Sequence, residues 1–229
     1  LYQNGGTYYN ESRTATNFNN QTAIDAFITF NRFYTDYDVP ISYDALNRFR
    51  SGEMPMMISN YVFYNNLAVG APEIAGLWEM TLIPGTPKED GTIDRSQVFG
   101  STSSIILETS DKKEESWKFL KWWSSTEIQA RYGLELEAVL GAAGRYDPAN
   151  KEAMALLPWS SKELKVLEEQ RKECVSLEQM PGSYFTSKAI NNAFLTCVLN
   201  KDKLPREEII YWSEQIDLEL ERKRKEFDY

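Results

Sequence analysis

The sequence predicts an α/β fold with a helical C-terminal part. Three observations carry this. Short apolar runs punctuated by Pro and Gly lie before about residue 107, and capped helical periodicity dominates after it. The chain has 229 residues, 42% of them hydrophobic, with no repeat, low-complexity tract or Gly/Ser linker, so it can build one large or two small domains. Together they imply a sheet covered by helices.

The elements follow in order. Residues 1–18, rich in Tyr, Asn, Gly and Thr, read as loop and short strand. A helix over residues 20–36 has Ile24, Phe27 and Ile28 at i, i+3, i+4, with Asn19 or Asn20 as its cap and Val39-Pro40 as its stop. Ser42–Phe49 is a shorter helix with Ala45, Leu46 and Phe49 inward, closed by Gly52. Met56–Ser59 reads as a buried strand that ends in an aromatic, amide-rich turn, residues 60–68, and that turn opens a helix. Trp78–Ile83 and Ile105–Leu107 read as two further strands, with Gly100-Ser101-Thr102-Ser103-Ser104 leading into the second. Three capping boxes then announce helices: Asp111 with Glu114, Ser124 with Glu127, and Ser160 with Glu163. The second of these helices should end near Gly133. Ala189, Ala193 and Cys197 form a stripe with Ile190, Phe194 and Val198, and Pro205 starts a last helix that turns Ile209, Ile216 and Leu220 inward.

Composition excludes several functions. With 25 basic against 34 acidic residues the net charge is -9, which opposes nucleic-acid binding and docking on anionic lipid. The basic tail Arg222-Lys223-Arg224-Lys225 is a solvated helix end. No apolar run approaches the ~20 residues of a membrane span, and no targeting pattern opens the chain. The absence of histidine removes Ser-His-Asp and Cys-His catalysis, and two cysteines alone cannot build a zinc site. Cys197 reads as a small buried hydrophobe, and a bridge to Cys174 stays open. No cofactor is expected, because Gly141-Ala142-Ala143-Gly144-Arg145 lacks the lysine and hydroxyl of a phosphate loop. Glu73, Glu79, Glu135 and Glu137 come with no supporting acid-pair motif, so no catalytic residue is assigned.

The aromatic supply points elsewhere. Tyr61, Tyr64 and Tyr184 lie in or beside loops that also carry Asn, Ser or Gly. A flat ring with a polar tip, next to amides, suits a carbohydrate: the C–H face packs on the ring while the hydroxyls need paired donors and acceptors.

The ordered landmarks "NGGTYY" (4–9), "FRSGEMPMMIS" (49–59), Trp78 to Pro84-Gly85, "GSTSSIIL" (100–107), "EESWKFLKWWSSTEIQARYG" (114–133), "MPGSYFTSKAINNAF" (180–194) and "ELERKRKEF" (219–227) resemble the extracellular solute-binding proteins of ABC importers, in the sugar-binding, maltose-binding-protein-like group. The resemblance implies a type II periplasmic-binding-protein-like lobe and the C-terminal portion of a longer lipoprotein of the Gram-positive cell surface. It implies a second-lobe α/β core at residues 1–104, a hinge crossing and first-lobe helical segment at 105–146, and helices packing mainly on the second lobe at 147–229. By the same resemblance Asn60, Tyr61, Tyr64 and Asn65 stand at a strand end facing ligand, with Gly100 and Ser101 near the hinge and Tyr184 with Ser187 at the late helix. On the simplest pairing the family's cleft aromatics fall at Val62 and Tyr64, and only Tyr64 keeps a ring. The implied partners are a small saccharide and the membrane subunits of a permease. Trp117, Phe119, Trp122 and Trp123 would be left partly uncovered, with self-association as a consequence. The rival readings are a glycoside hydrolase and a cell-surface scaffold that binds a protein.

Overall fold

The computed structural model describes residues 1–100, 102–200 and 202–228. Nine helices carry the described residues: α1 Gln21–Thr35, α2 Ala45–Arg50, α3 Phe63–Gly70, α4 Lys113–Trp123, α5 Thr126–Leu140, α6 Lys151–Ala155, α7 Ser161–Lys172, α8 Tyr184–Leu199 and α9 Pro205–Phe227. The strands are short: β1 Thr86–Pro87 pairs antiparallel with β2 Ile93–Asp94, and β3 Gln97–Val98 pairs parallel with β4 Cys174–Val175.

The chain divides into two compact units. The first comprises residues 1–42, 84–99 and 173–229, and the second residues 43–83 and 100–172.

In the first unit, α8 and α9 pack on each other and both on α1. Asn20 caps α1, its side chain accepting from the Ala23 amide. That start places Ala23, Ile24 and Phe27 on the buried face. The small residues Ala189, Ala193 and Cys197 are buried along α8, so neighbouring helices approach closely and meet Ile209, Ile216 and Leu220 of α9. No disulfide joins the cysteines, and burial pushes the Cys197 thiol up to about 11, with Glu208 adding to the shift.

In the second unit, Met154, Leu157, Trp159 and Leu167 form the core, with Tyr61, Tyr64, Met80 and Leu164 packed against it. The Ser160–Glu163 capping box forms in both directions: the Ser160 amide donates to Glu163, and the Glu163 amide donates to Ser160 Oγ. The other two boxes shift. Asp111 makes no cap and α4 starts at Lys113, whereas Ser125 rather than Ser124 caps α5. α5 also runs through Gly133 to Leu140. A Cβ at Gly133 would sit 2.6 Å from Leu157 Cδ2, so this glycine serves close packing and does not stop the helix.

Three expected strands are absent. Met56–Ser59, Trp78–Ile83 and Ile105–Leu107 carry no ladder among the described residues. Met56 is 84% exposed, Ile58 73% and Ile105 78%, so the first and third runs are not core, whereas Met80 of the second packs against the core of its unit. An apolar run becomes a strand only when neighbouring strands take up its backbone N–H and C=O groups, and no described strand pairs with these runs. Trp117, Phe119 and Trp122 on α4 are likewise about half exposed. No described helix is long and apolar enough to cross a membrane.

Candidate functional site

The predicted residues fall into two groups, each within one unit. In the second unit the turn at residues 60–65 closes through three successive bonds, from the amides of Phe63, Tyr64 and Asn65 to the carbonyls of Asn60, Tyr61 and Val62. The turn leads directly into α3 and directs Tyr61 and Tyr64 onto Trp159, edge to face at centroid distances of 5.9 and 5.2 Å. Tyr64 also meets Trp78 at 5.3 Å. Asn65 is buried and donates from Nδ2 to the Arg145 carbonyl at 2.9 Å. Asn60 stays exposed at the start of the turn.

Arg145 sits at the centre. Its guanidinium carbon lies 4.9 Å from the Tyr64 ring centroid and 4.8 Å from that of Trp159, within cation–π range. Nε and Nη2 both bond the Glu137 carboxylate, the shorter contact at 2.6 Å. Burial works against the charge on Arg145, but Glu137 and Tyr64 outweigh it, and the pKa is raised above the ordinary arginine value. Four buried polar atoms of this cluster have no hydrogen-bond partner among the described residues: Tyr61 Oη, Asn65 Oδ1, Arg145 Nη1 and Trp159 Nε1. All four belong to residues that pack on one another at the core of the second unit.

In the first unit α8 carries Tyr184 and Ser187. Tyr184 is 65% exposed and donates its hydroxyl to Glu219 of α9. Arg222 grips the same carboxylate with Nε and Nη2, both at 2.7 Å. The Arg222 fork, then the Tyr184 hydroxyl, hold the Glu219 carboxyl down at about 2. Ser187 helps line a hollow of about 20 Å³ together with Tyr8, Tyr9, Glu178, Gln179, Ser183 and Thr186. Tyr9 Oη donates to Thr186 Oγ1 at 2.8 Å inside it. A hollow of this size takes one water-sized group, and its lining is rich in hydroxyls.

Gly100 is exposed, and Ser101 lies outside the described residues. The structure thus brings Tyr61, Tyr64 and Asn65 together. It adds Arg145, Glu137, Trp78 and Trp159, none of which the sequence reading assigned to the site. Only one local signal was available for them: Trp159 directly precedes the Ser160 capping box. The carboxylates weighed as acid pairs all make ion pairs: Glu73 with Arg50, Glu79 with Lys162, Glu135 with Arg131 and Glu137 with Arg145. Among the described residues no group of His, Cys, Asp and Glu could hold a metal ion.

A family model of bacterial extracellular solute-binding proteins matches residues 2–163. The chain belongs to this family. Solved structures show the fold that goes with it. The sugar-binding protein MalE from Xanthomonas citri superposes with a TM-score of 0.79 at 16% identity, over 99% of this chain and 56% of that one. An ABC-transporter solute-binding protein from Thermotoga lettingae, bound with alpha-D-tagatose, gives 0.74 at 18% identity over 96% and 54%. An ABC substrate-binding protein from Listeria monocytogenes, in complex with cycloalternan, gives 0.60 at 18% over 94% and 54%. This solute-binding protein therefore has the type II periplasmic-binding-protein-like α/β fold, and it spans just over half the length of the structures it matches. No curated protein matches it.

Proposed function

We propose that this solute-binding protein is the substrate-binding component of an ABC transporter, capturing a carbohydrate outside the cell and delivering it to a membrane permease without transforming it. The observation that carries the reading is the cluster of Tyr61, Tyr64, Asn65, Arg145 and Trp159. It combines aromatic rings with buried polar atoms that have no partner among the described residues. Aromatic faces with convergent donors and acceptors suit a polyol, whose carbon framework packs on rings while its hydroxyls need paired partners. The family, and relatives described as sugar-binding or as bound to a sugar, support the same choice. The proposed ligand-contacting residues are Asn60, Tyr61, Tyr64 and Asn65 in the second unit and Tyr184 and Ser187 in the first, together with Gly100 and with Ser101, which lies outside the described residues. Two lobes closing by hinge motion would hide the ligand. Anchoring to the outer face of a Gram-positive membrane as a lipoprotein completes the proposal.

Calorimetric titration of the protein with a panel of mono- and oligosaccharides tests it. Micromolar binding of at least one saccharide, with no release of altered sugar, is expected. Tight binding confined to peptides or metal ions would overturn the carbohydrate assignment.

A further inference from the structure

We infer that Arg145 is a positioning residue, which orients the aromatic turn at residues 60–65 for the ligand. The inference rests on the carbohydrate reading for its ligand but not for its geometry. The turn's own backbone bonds close it without bonding its rings, and Val62, the N-cap residue of α3, makes no side-chain cap bond. What fixes them comes from elsewhere in the chain. The Arg145 guanidinium covers Tyr64 at 4.9 Å and Trp159 at 4.8 Å. Glu137 sets the plane of that guanidinium by bonding both Nε and Nη2. The turn answers through Asn65, whose side chain bonds the Arg145 carbonyl at 2.9 Å. Each partner thus holds the other, over a sequence separation of 80 residues.

This ion pair is poorly suited to a role in stability alone. The side chains of Arg145 and Glu137 are only 10% and 16% exposed. Replacing a buried pair by apolar groups of similar volume is often neutral or stabilising, so such a pair contributes fixed geometry more than free energy. Lysine could not supply that geometry, since a compact ammonium neither forks onto a carboxylate nor offers a planar group to two rings at once. The cluster also keeps Arg145 Nη1, Tyr61 Oη and Trp159 Nε1 buried without partners among the described residues. Such groups are costly to retain, which fits a site arranged for a ligand better than a core arranged for stability.

The test compares the wild-type protein with Arg145→Lys and with the double variant Glu137→Met/Arg145→Met. Near-UV circular dichroism reads the order of the rings, urea unfolding reads stability, and calorimetry reads affinity for the saccharide found in the panel. Both variants are expected to keep the far-UV spectrum, lose near-UV intensity and bind the saccharide at least tenfold more weakly. The double variant is expected to do so with its urea midpoint unchanged or raised, a separation that a merely structural role would not produce. Near-UV spectra identical to wild type in both variants overturn the inference. So does a double variant that binds as tightly as wild type. If the wild-type protein binds no saccharide, the carbohydrate reading fails, and the near-UV comparison still decides whether Arg145 orders the rings.

Discussion

Gly182→Ala probes how the loop before α8 is held against α9. Gly182 has φ of +93°, in the left-handed region that a Cβ disfavours. A Cβ there would lie 3.2 Å from Leu220 Cα and 3.3 Å from both the Glu219 carbonyl oxygen and Leu220 Cδ2. Two of those atoms are helix backbone and cannot swing aside. Left-handed strain costs about 1–2 kcal/mol, and forcing a methyl into a packed contact costs about 1–3 kcal/mol. Stiffening the unfolded chain returns about 0.4–1 kcal/mol, so the expected net loss is about 3 kcal/mol. Gly5→Ala is the matched control: its φ is +76°, but nothing lies within 4 Å of its Cβ, so it carries strain without contact. Urea unfolding followed by far-UV circular dichroism should show Gly182→Ala less stable than Gly5→Ala, with the slope unchanged. Equal losses in the two variants would refute the close approach of the loop to α9.

Other predictions follow from burial and charge. Ala193 is fully buried on α8, so Ala193→Leu should cost about 1–3 kcal/mol by overpacking, and a loss below about 0.5 kcal/mol in urea would contradict the packing of the helix stripe. Glu219 is held at about 2, well below its ordinary 4.5, so its contribution to stability is present above pH 4.5 and is lost as pH falls through about 2. Glu219→Gln should remove that part of the acid-unfolding profile, and an unchanged profile counts against the Arg222–Glu219–Tyr184 network. Cys197 is 3% exposed with a thiol raised to about 11, so iodoacetamide at pH 8 should alkylate Cys174 and spare Cys197 in the native protein. Mass spectrometry locates the adduct, and equal labelling of both would be inconsistent with the burial. Ile58 is 73% exposed, so Ile58→Lys should change the stability of this chain by no more than about 0.5 kcal/mol. A loss of several kcal/mol, as for a charge placed in a buried strand, would restore the strand that the sequence suggested.

What was legible in the sequence was local. Asn20 as a cap, the Ser160–Glu163 box and Pro205 at the first turn of α9 all depend on residues within a turn of one another, and all are present. The buried stripe of α8 was equally readable, because a period of 3.6 places Ala189, Ala193 and Cys197 on one face. The strands were not readable, because Met56–Ser59 has the composition of a buried strand whatever lies beside it. Pairing is a property of the neighbour, and composition does not report it. Gly133 misled for a related reason. A glycine can end a helix or admit a side chain, and only the position of Leu157 decides between the two.

The candidate site divides along the same line. Tyr61, Tyr64 and Asn65 could be grouped as candidates because rings and amides stand next to one another in sequence. Arg145 was passed over because its local context, a glycine-rich turn, argues only about phosphate. Its role comes from Glu137, eight residues back on α5, and from Tyr64 and Trp159, far away along the chain. The local residues supply surface of a kind that could meet a sugar. The distant ones decide which way that surface points. Affinity in such a site should therefore respond to Arg145 even with every ring in place, and the most informative variant is one that keeps the rings and removes only the guanidinium packed against Tyr64 and Trp159.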